Sequence, residues 1–197
     1  MPVRMEDENN ENKAVPAEEL NNRLMKTRSV LLFGEVNKTL GEKIIKQLLV
    51  LDEESNDMIT VYIDSPGGDV DAGFAIFDTM RYLSSPIRTV VMGLAASMGA
   101  MILLAADKKH RIGFPNSRYL IHQPLISGNI RGVATEIEIH AVEMEKYRAK
   151  INEIIAKETG KNIEQVTHDT DRDFWLDAEQ AREYGLISKI ITKKSEL

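Results

Sequence analysis

Val90–Ala106, VVMGLAASMGAMILLAA, is an uncharged run of 17 residues, and how it is divided decides the fold. As one piece it approaches the lower limit for a membrane-spanning helix. Its first residues are β-rich, and Gly93, Ser97 and Gly99 interrupt the rest. A buried strand, a turn at Ser97 and an apolar helix therefore account for it better. Ser97 then stands between small residues at a strand-to-helix turn, the setting of a nucleophile elbow. Small neighbours let the backbone turn tightly and leave room for a substrate. The amide of Met98, at the start of the helix, is free to face a developing oxyanion. A serine that only caps the helix is the plainer use of the same position. Ala95 also breaks the strict G-x-S-x-G pattern.

Outward from that run, strand and helix signals alternate at intervals of about thirty residues, which predicts an α/β fold. SVLLFG (Ser29–Gly34) and MITVYID (Met58–Asp64) read as strands, as do IRTVVMG (Ile87–Gly93) and the short segments HRIGF and RYLIH. Thr39 and Glu42 have capping-box spacing, with a helix expected through Leu51. Phe74, Ile76, Phe77, Met80 and Leu83 follow a helical period. A helix over Thr135–Thr159 is predicted from a cap at Thr135, a stop at Gly160 and an apolar stripe of Ile137, Ala141, Met144, Tyr147, Ile151 and Ile154. At 1.5 Å per residue it is roughly 35 Å long, a small domain's diameter. Because Ile139 and Val142 lie off the stripe, it is expected to project and to pack against another subunit.

The length of 197 residues favours one domain with a sizeable core. A net charge of −6 argues against nucleic-acid binding, and Lys108-Lys109-His110-Arg111 reads as a solvated turn. The absence of Cys excludes thiol catalysis and fits a cytoplasmic, reducing setting. Residues 1–22 are polar, have no apolar leader core and are expected to be a mobile segment ahead of a single domain over 23–197.

A second chemical motif, Ser65-Pro66-Gly67-Gly68-Asp69-Val70, joins a strand to a helix, and its glycines expose backbone amides to a ligand. It lacks the spacing of phosphate-binding loops. Among the four histidines, His122 ends the apolar strand RYLIH before Gln123-Pro124, a rigid place for a general base. His110 belongs to the basic turn and His140 to the long helix. His168 lies among acids, where solvated charge outweighs a metal site. The acid that would orient an imidazole has candidates in Asp169, Asp171 and Asp173, since Asp177 reads as a helix cap. Spacing alone does not choose among the three.

SPGG, AASMGA, PNSRYLIHQP and DTDRDFWL occur together and in this order, and so arranged the chain resembles the ClpP family, the proteolytic subunits of Clp proteases, from about Val30 to Ile191. The order Ser…His…Asp also differs from that of α/β-hydrolases. The resemblance implies a ClpP/crotonase-like spiral of ββα units, with the long helix projecting to interlock two stacked seven-membered rings. It implies Ser97 as nucleophile, His122 as base and Asp173 as acid, with oxyanion amides at Gly68 and Met98. Peptide would lie as an added strand along Gly68, Asp69 and Val70 and along Gln123, Pro124, Leu125 and Ile126. Asp171 and Arg172 would reach across the ring–ring contact. The implied function is endoproteolysis of unfolded polypeptide fed by an AAA+ unfoldase, with no cofactor or metal and no membrane partner. The shared fold leaves a crotonase-like acyl-CoA enzyme as one alternative. A ring subunit that scaffolds an active partner is another.

The sequence also departs from the family pattern. AVPAEELNNRL lacks the motif of the axial loops, ISGNIRGVAT after the base is longer and less glycine-rich, and Asp64 replaces a common Asn. These departures point to a divergent paralogue working beside a second ClpP.

Overall fold

The computed structural model describes residues 17–125 and 132–197. In chain order the elements are α1 (Ala17–Lys26), β1 (Ser29–Phe33), α2 (Lys38–Glu54), β2 (Ile59–Ser65), α3 (Val70–Tyr82), β3 (Ile87–Ala96) and α4 (Met98–Leu103). They continue with β4 (Arg111–Gly113), β5 (Arg118–Ile121), α5 (Ala134–Thr159), α6 (Ile163–Asp169), β6 (Phe174–Leu176), α7 (Ala178–Tyr184) and β7 (Lys189–Ile190). Strands β1, β2, β3, β4 and β7 lie side by side and parallel. Strand–helix units follow one another along the chain, as the α/β reading expects. Most positions of β1 to β3 are buried, as befits parallel strands packed against helices, while Phe33 and Met92 stay exposed.

β3 is the pivot. Its first half, Thr89–Val91, pairs with β4, while its second half, Leu94–Ala96, pairs with β5. Between the halves the register with β2 shifts after Ile63. At that irregularity the Asp64 carboxylate accepts the Leu94 amide at 2.9 Å, so a side chain satisfies a bond the ladder has lost. A Cβ on Gly93 would lie 2.6 Å from that same carboxylate, so a larger residue there would have to displace the Asp64 side chain. The apolar run thus divides into strand, one turning residue and a short helix. Among the described residues no helix is long and apolar enough to cross a membrane.

Three expectations are corrected. Helix α2 is capped by Asn37, whose side chain accepts the Leu40 amide at 2.9 Å, two residues before Thr39, and it runs on to Glu54. Helix α5 starts at Ala134 rather than at a Thr135 cap; Glu136 instead reaches back to the Val133 amide at 3.3 Å. Arg111 is wholly buried rather than part of a solvated turn. Its guanidinium donates to the carbonyls of Leu104, Ala106 and Glu158 and pairs with the Glu158 carboxylate. Arg81 pairs with the other oxygen of Glu158 at 2.5 Å. Burial pushes the Glu158 carboxyl up, but the two guanidiniums outweigh it and hold the group below its ordinary range. This cluster ties the C-terminal end of α5 to the body.

Helix α5 has two unlike halves. Ile151 and Ile155 are buried in the core, each contributing about 2 kcal/mol of apolar burial. Ile137, Ile139 and Val142, in the first half, are exposed. The expected stripe holds at Ile151 and then shifts by one residue, with Ile155 more deeply buried than Ile154. An exposed apolar surface on a helix that leaves the body marks a contact with another chain.

Candidate active site

Ser97, His122 and Asp173 each stand one residue beyond the edge of a strand. Ala96 on β3 pairs with Leu120 on β5, and the Ser97 amide donates to the Leu120 carbonyl at 2.9 Å. Ile121 on β5 pairs antiparallel with Phe174 on β6. Extending that register by one residue sets His122 opposite Asp173. Their Nδ1 and Oδ1 atoms are 3.0 Å apart. With Nδ1–H directed at the carboxylate, Nε2 is the free basic nitrogen. Ser97 and His122 line one small cavity. No direct hydrogen bond joins them among the described residues.

The turn at Ser97 is strained. Its φ of 53° and ψ of −121° lie where side-chain-bearing residues rarely sit. Such strain costs of order 1–3 kcal/mol and persists only where packing enforces it. The enforcing surface is the SPGG turn. A Cβ on Gly67 would lie 2.6 Å from Ser97 Cβ and 2.9 Å from the Met98 amide nitrogen. Gly68, with φ of 146°, approaches Val36 so closely that a Cβ would come within 2.2 Å of its carbonyl oxygen. Ser65 locks the turn from below, donating to the Gly34 carbonyl at 2.6 Å and accepting from the Gly67 amide at 3.1 Å. Met98 begins α4, so its amide has no partner within that helix.

The other expected residues are distributed as follows. Val70 and Pro124 line the Ser97 cavity, and Leu125 is exposed. Asp69 caps α3 through the Ala72 amide, and its own amide donates to the Val36 carbonyl at 2.7 Å. The Gln123 amide donates to the Thr170 carbonyl at 2.6 Å, and its side chain to the Asp171 carbonyl at 2.7 Å. These two amides are committed within the chain. Ile126 lies outside the described residues. Asp171 pairs with Arg148 at 3.2 Å and, more loosely, with Arg172 at 3.5 Å; the Arg172 side chain is 85% exposed. His168 is exposed on α6, and Asp169 accepts a hydrogen bond from the Tyr184 hydroxyl at 2.9 Å.

The cavity walls were not legible as such. Met98, singled out in the sequence for its amide only, completes them with Met101, Ile121, Ile151 and Ile155, which carry no site signal in the sequence. Helix α6 did have a signal: Asn162 accepts the Gln165 amide at 2.7 Å, an Asn with Gln three residues on. Arg148 gave none, since it is one charge among many on α5.

A strained serine backed by two glycines, a histidine–carboxylate pair beside it and a parallel sheet beneath are the apparatus of a serine hydrolase. The Clp protease family model matches residues 11–194, and the chain belongs to that family. It is 53% identical over 192 residues to the ATP-dependent Clp protease proteolytic subunit 2 of Treponema denticola, covering 97% of this chain and 95% of that one. It is 56% identical over 176 residues to the subunit of the same name from Treponema pallidum, covering 89% and 87%. The structure is similar to that of a point mutant of ClpP1 from Listeria monocytogenes, with a TM-score of 0.82 and 44% identity over 89% of this chain and 98% of that one. The protein is thus a serine endopeptidase of the Clp type, which decides between the protease and the acyl-CoA enzyme that the fold alone left open.

Proposed function

We propose that Ser97 is the nucleophile, His122 the general base and Asp173 the acid that orients it. The observation carrying this is the row of three neighbouring strand ends, with the His122–Asp173 pair at 3.0 Å and Ser97 sharing the cavity. Ser97 Oγ attacks the scissile carbonyl while His122 Nε2 takes its proton. Asp173 stabilises the imidazolium that results, and the amides of Gly68 and Met98 receive the oxyanion. His122 then protonates the leaving amine, and water hydrolyses the acyl-enzyme by the same route in reverse. The cavity beside Ser97 is walled by Val70, Met101, Ile121, Ile151 and Ile155, which suits an apolar side chain next to the scissile bond. Substrate is held as an added strand along Gly68–Val70 and Gln123–Ile126.

Residues 23–197 act as one protease domain preceded by the polar segment 1–22, and α1 (Ala17–Lys26) runs across the boundary between them. The chain assembles into two stacked seven-membered rings through the exposed half of α5 and the Asp171–Arg172 pair. An AAA+ unfoldase delivers unfolded polypeptide to the chamber, and the setting is cytoplasmic. A second ClpP paralogue shares the particle; the relatives' designation as subunit 2 supports a sister chain.

The test is native mass spectrometry of the purified chain with a fluorogenic peptide and a fluorophosphonate probe on the same sample. Peptide cleavage with label on Ser97 is the expected result. Label on another serine overturns the assignment. An assembled but inactive particle that gains activity only with a sister subunit favours the scaffolding role.

A further inference from the structure

Helix α5 leaves the body of the protomer at Tyr147. Tyr147, Ile151 and Ile155 are four residues apart and share one face of the helix. The two isoleucines line the Ser97 cavity, while Ile137, Ile139 and Val142, before Tyr147, are exposed. Tyr147 is anchored in two ways. Its ring lies against that of the buried Phe74, with centroids 6.2 Å apart and planes 16° from parallel. Its hydroxyl donates to the Asp71 carboxylate. That bond is the largest of the effects that push the Tyr147 phenol above its ordinary range, so the group stays a donor. The stack would accept any aromatic ring, whereas the bond requires the hydroxyl.

Asp71 is the second residue of α3 and lies three residues after Gly68. Its neighbour Val70 forms the α3 wall of the Ser97 cavity, and Ile151, one turn on from Tyr147, forms part of the α5 wall. One hydrogen bond therefore bridges the two elements that carry these walls. Resting on the Ser97 assignment above, we infer that Tyr147 is a positioning residue. Through Asp71 it sets the spacing between α5 and the start of α3, and with it the place of the Gly68 amide and the width of the cavity. A displaced oxyanion donor weakens the transition state more than substrate binding, so the effect falls on kcat. A looser wall discriminates less between large and small apolar side chains.

The experiment uses the full-length assembled protein and two peptides that differ only in Leu or Ala before the scissile bond. Tyr147→Phe is expected to lower kcat on the Leu peptide about 2- to 10-fold, the range of one hydrogen bond, with KM within about twofold and a narrowed Leu-to-Ala preference. Asp71→Ala should match it, Asp71→Asn, which keeps an acceptor, should recover most of the loss, and the Tyr147→Phe/Asp71→Ala double variant should be no worse than either single. Hydrogen exchange of residues 68–75 reads the contact without reference to activity and should quicken in Tyr147→Phe. Wild-type kinetics in both single variants with unchanged exchange would overturn the inference. So would a loss that tracks falling assembly while the Leu-to-Ala preference holds. Should the unmodified protein fail to cleave either peptide, exchange alone decides: quickened exchange upholds the Tyr147 contact, unchanged exchange overturns it, and the Ser97 assignment is judged separately by the fluorophosphonate label.

Discussion

The two ends of the proposed catalytic row are built differently. At Ser97 every constraint comes from inside the protomer: Gly67 and Gly68 press against the turn, Ser65 locks it and α4 behind it is buried. At Asp173 the constraint is slight. The His122 side chain is 15% exposed, but that of Asp173 is 63% exposed, on a segment whose charged partners Asp171 and Arg172 also face outward. The proposed nucleophile and oxyanion donors are therefore set by folding, whereas the proposed acid is held by one hydrogen bond at an open edge. An exposed hydrogen-bonded pair is worth little in water and more once its surroundings are desolvated. Helix α5 adjoins the same region through the Arg148–Asp171 pair, just beyond its exposed apolar half, so covering that edge with a second copy would steady the proposed acid.

Four measurements would break or sharpen this contrast. The largest effect is expected of Ser97→Ala, which should fold and assemble normally yet lose peptidase activity by roughly 10⁴-fold or more. An active Ser97→Ala particle would remove the inner end of the comparison altogether. Next comes Gly68→Ala. Its Cβ has no room against Val36, so the turn must move and the oxyanion donor with it; kcat should fall by about 10²–10³-fold. Steady-state kinetics on a variant shown by circular dichroism to be folded checks this, and near-normal kcat would show that the Gly68 amide is not a donor.

The third measurement concerns stability inside the protomer. Glu158→Gln leaves the buried Arg111 without its ion pair and should cost roughly 3 kcal/mol at neutral pH, the scale of a broken buried pair. Glu158 titrates below its ordinary value of 4.5 when folded, so its contribution is present above that value and disappears as the pH falls through the folded one. Denaturant unfolding of both proteins should therefore show a gap at neutral pH that closes in acid. A gap independent of pH would assign the loss to packing. The smallest effect is expected at the outer edge. Arg172→Ala should shift the particle toward single rings and reduce peptidase activity in parallel by roughly tenfold, although no member of the proposed triad has changed. Sedimentation velocity with a peptide assay on the same sample reads both, and a fully active double ring would make the Asp171–Arg172 pair incidental.

Much of this was legible along the chain because it is local. The division of Val90–Ala106 follows from three small residues in an apolar run, and the need for glycine in SPGG follows from a turn between strand and helix. The projecting helix followed from its length and from Ile139 and Val142 lying off its stripe. Local signals also misled. Thr39 and Thr135 have capping-box spacing, but Asn37 caps α2 and Val133 stands before α5, since spacing does not reveal where the preceding backbone turns.

The sequence by itself determined the α/β alternation, the turn that carries Ser97, the placement of His122 at a strand end and a choice of three aspartates, and its ordered motifs pointed to Asp173. Each is set within a few consecutive residues, by periodicity, side-chain size or chain order. Only the tertiary structure decided that β6 exists and runs antiparallel to β5, the register that brings Asp173 to 3.0 Å from His122 across 51 positions of sequence. Only it decided that Arg111 is buried on Glu158 and that Ile151 and Ile155 wall a cavity instead of merely filling a core. A three-residue strand is too short to show a period, and a buried charge or a cavity wall depends on what approaches from elsewhere in the chain.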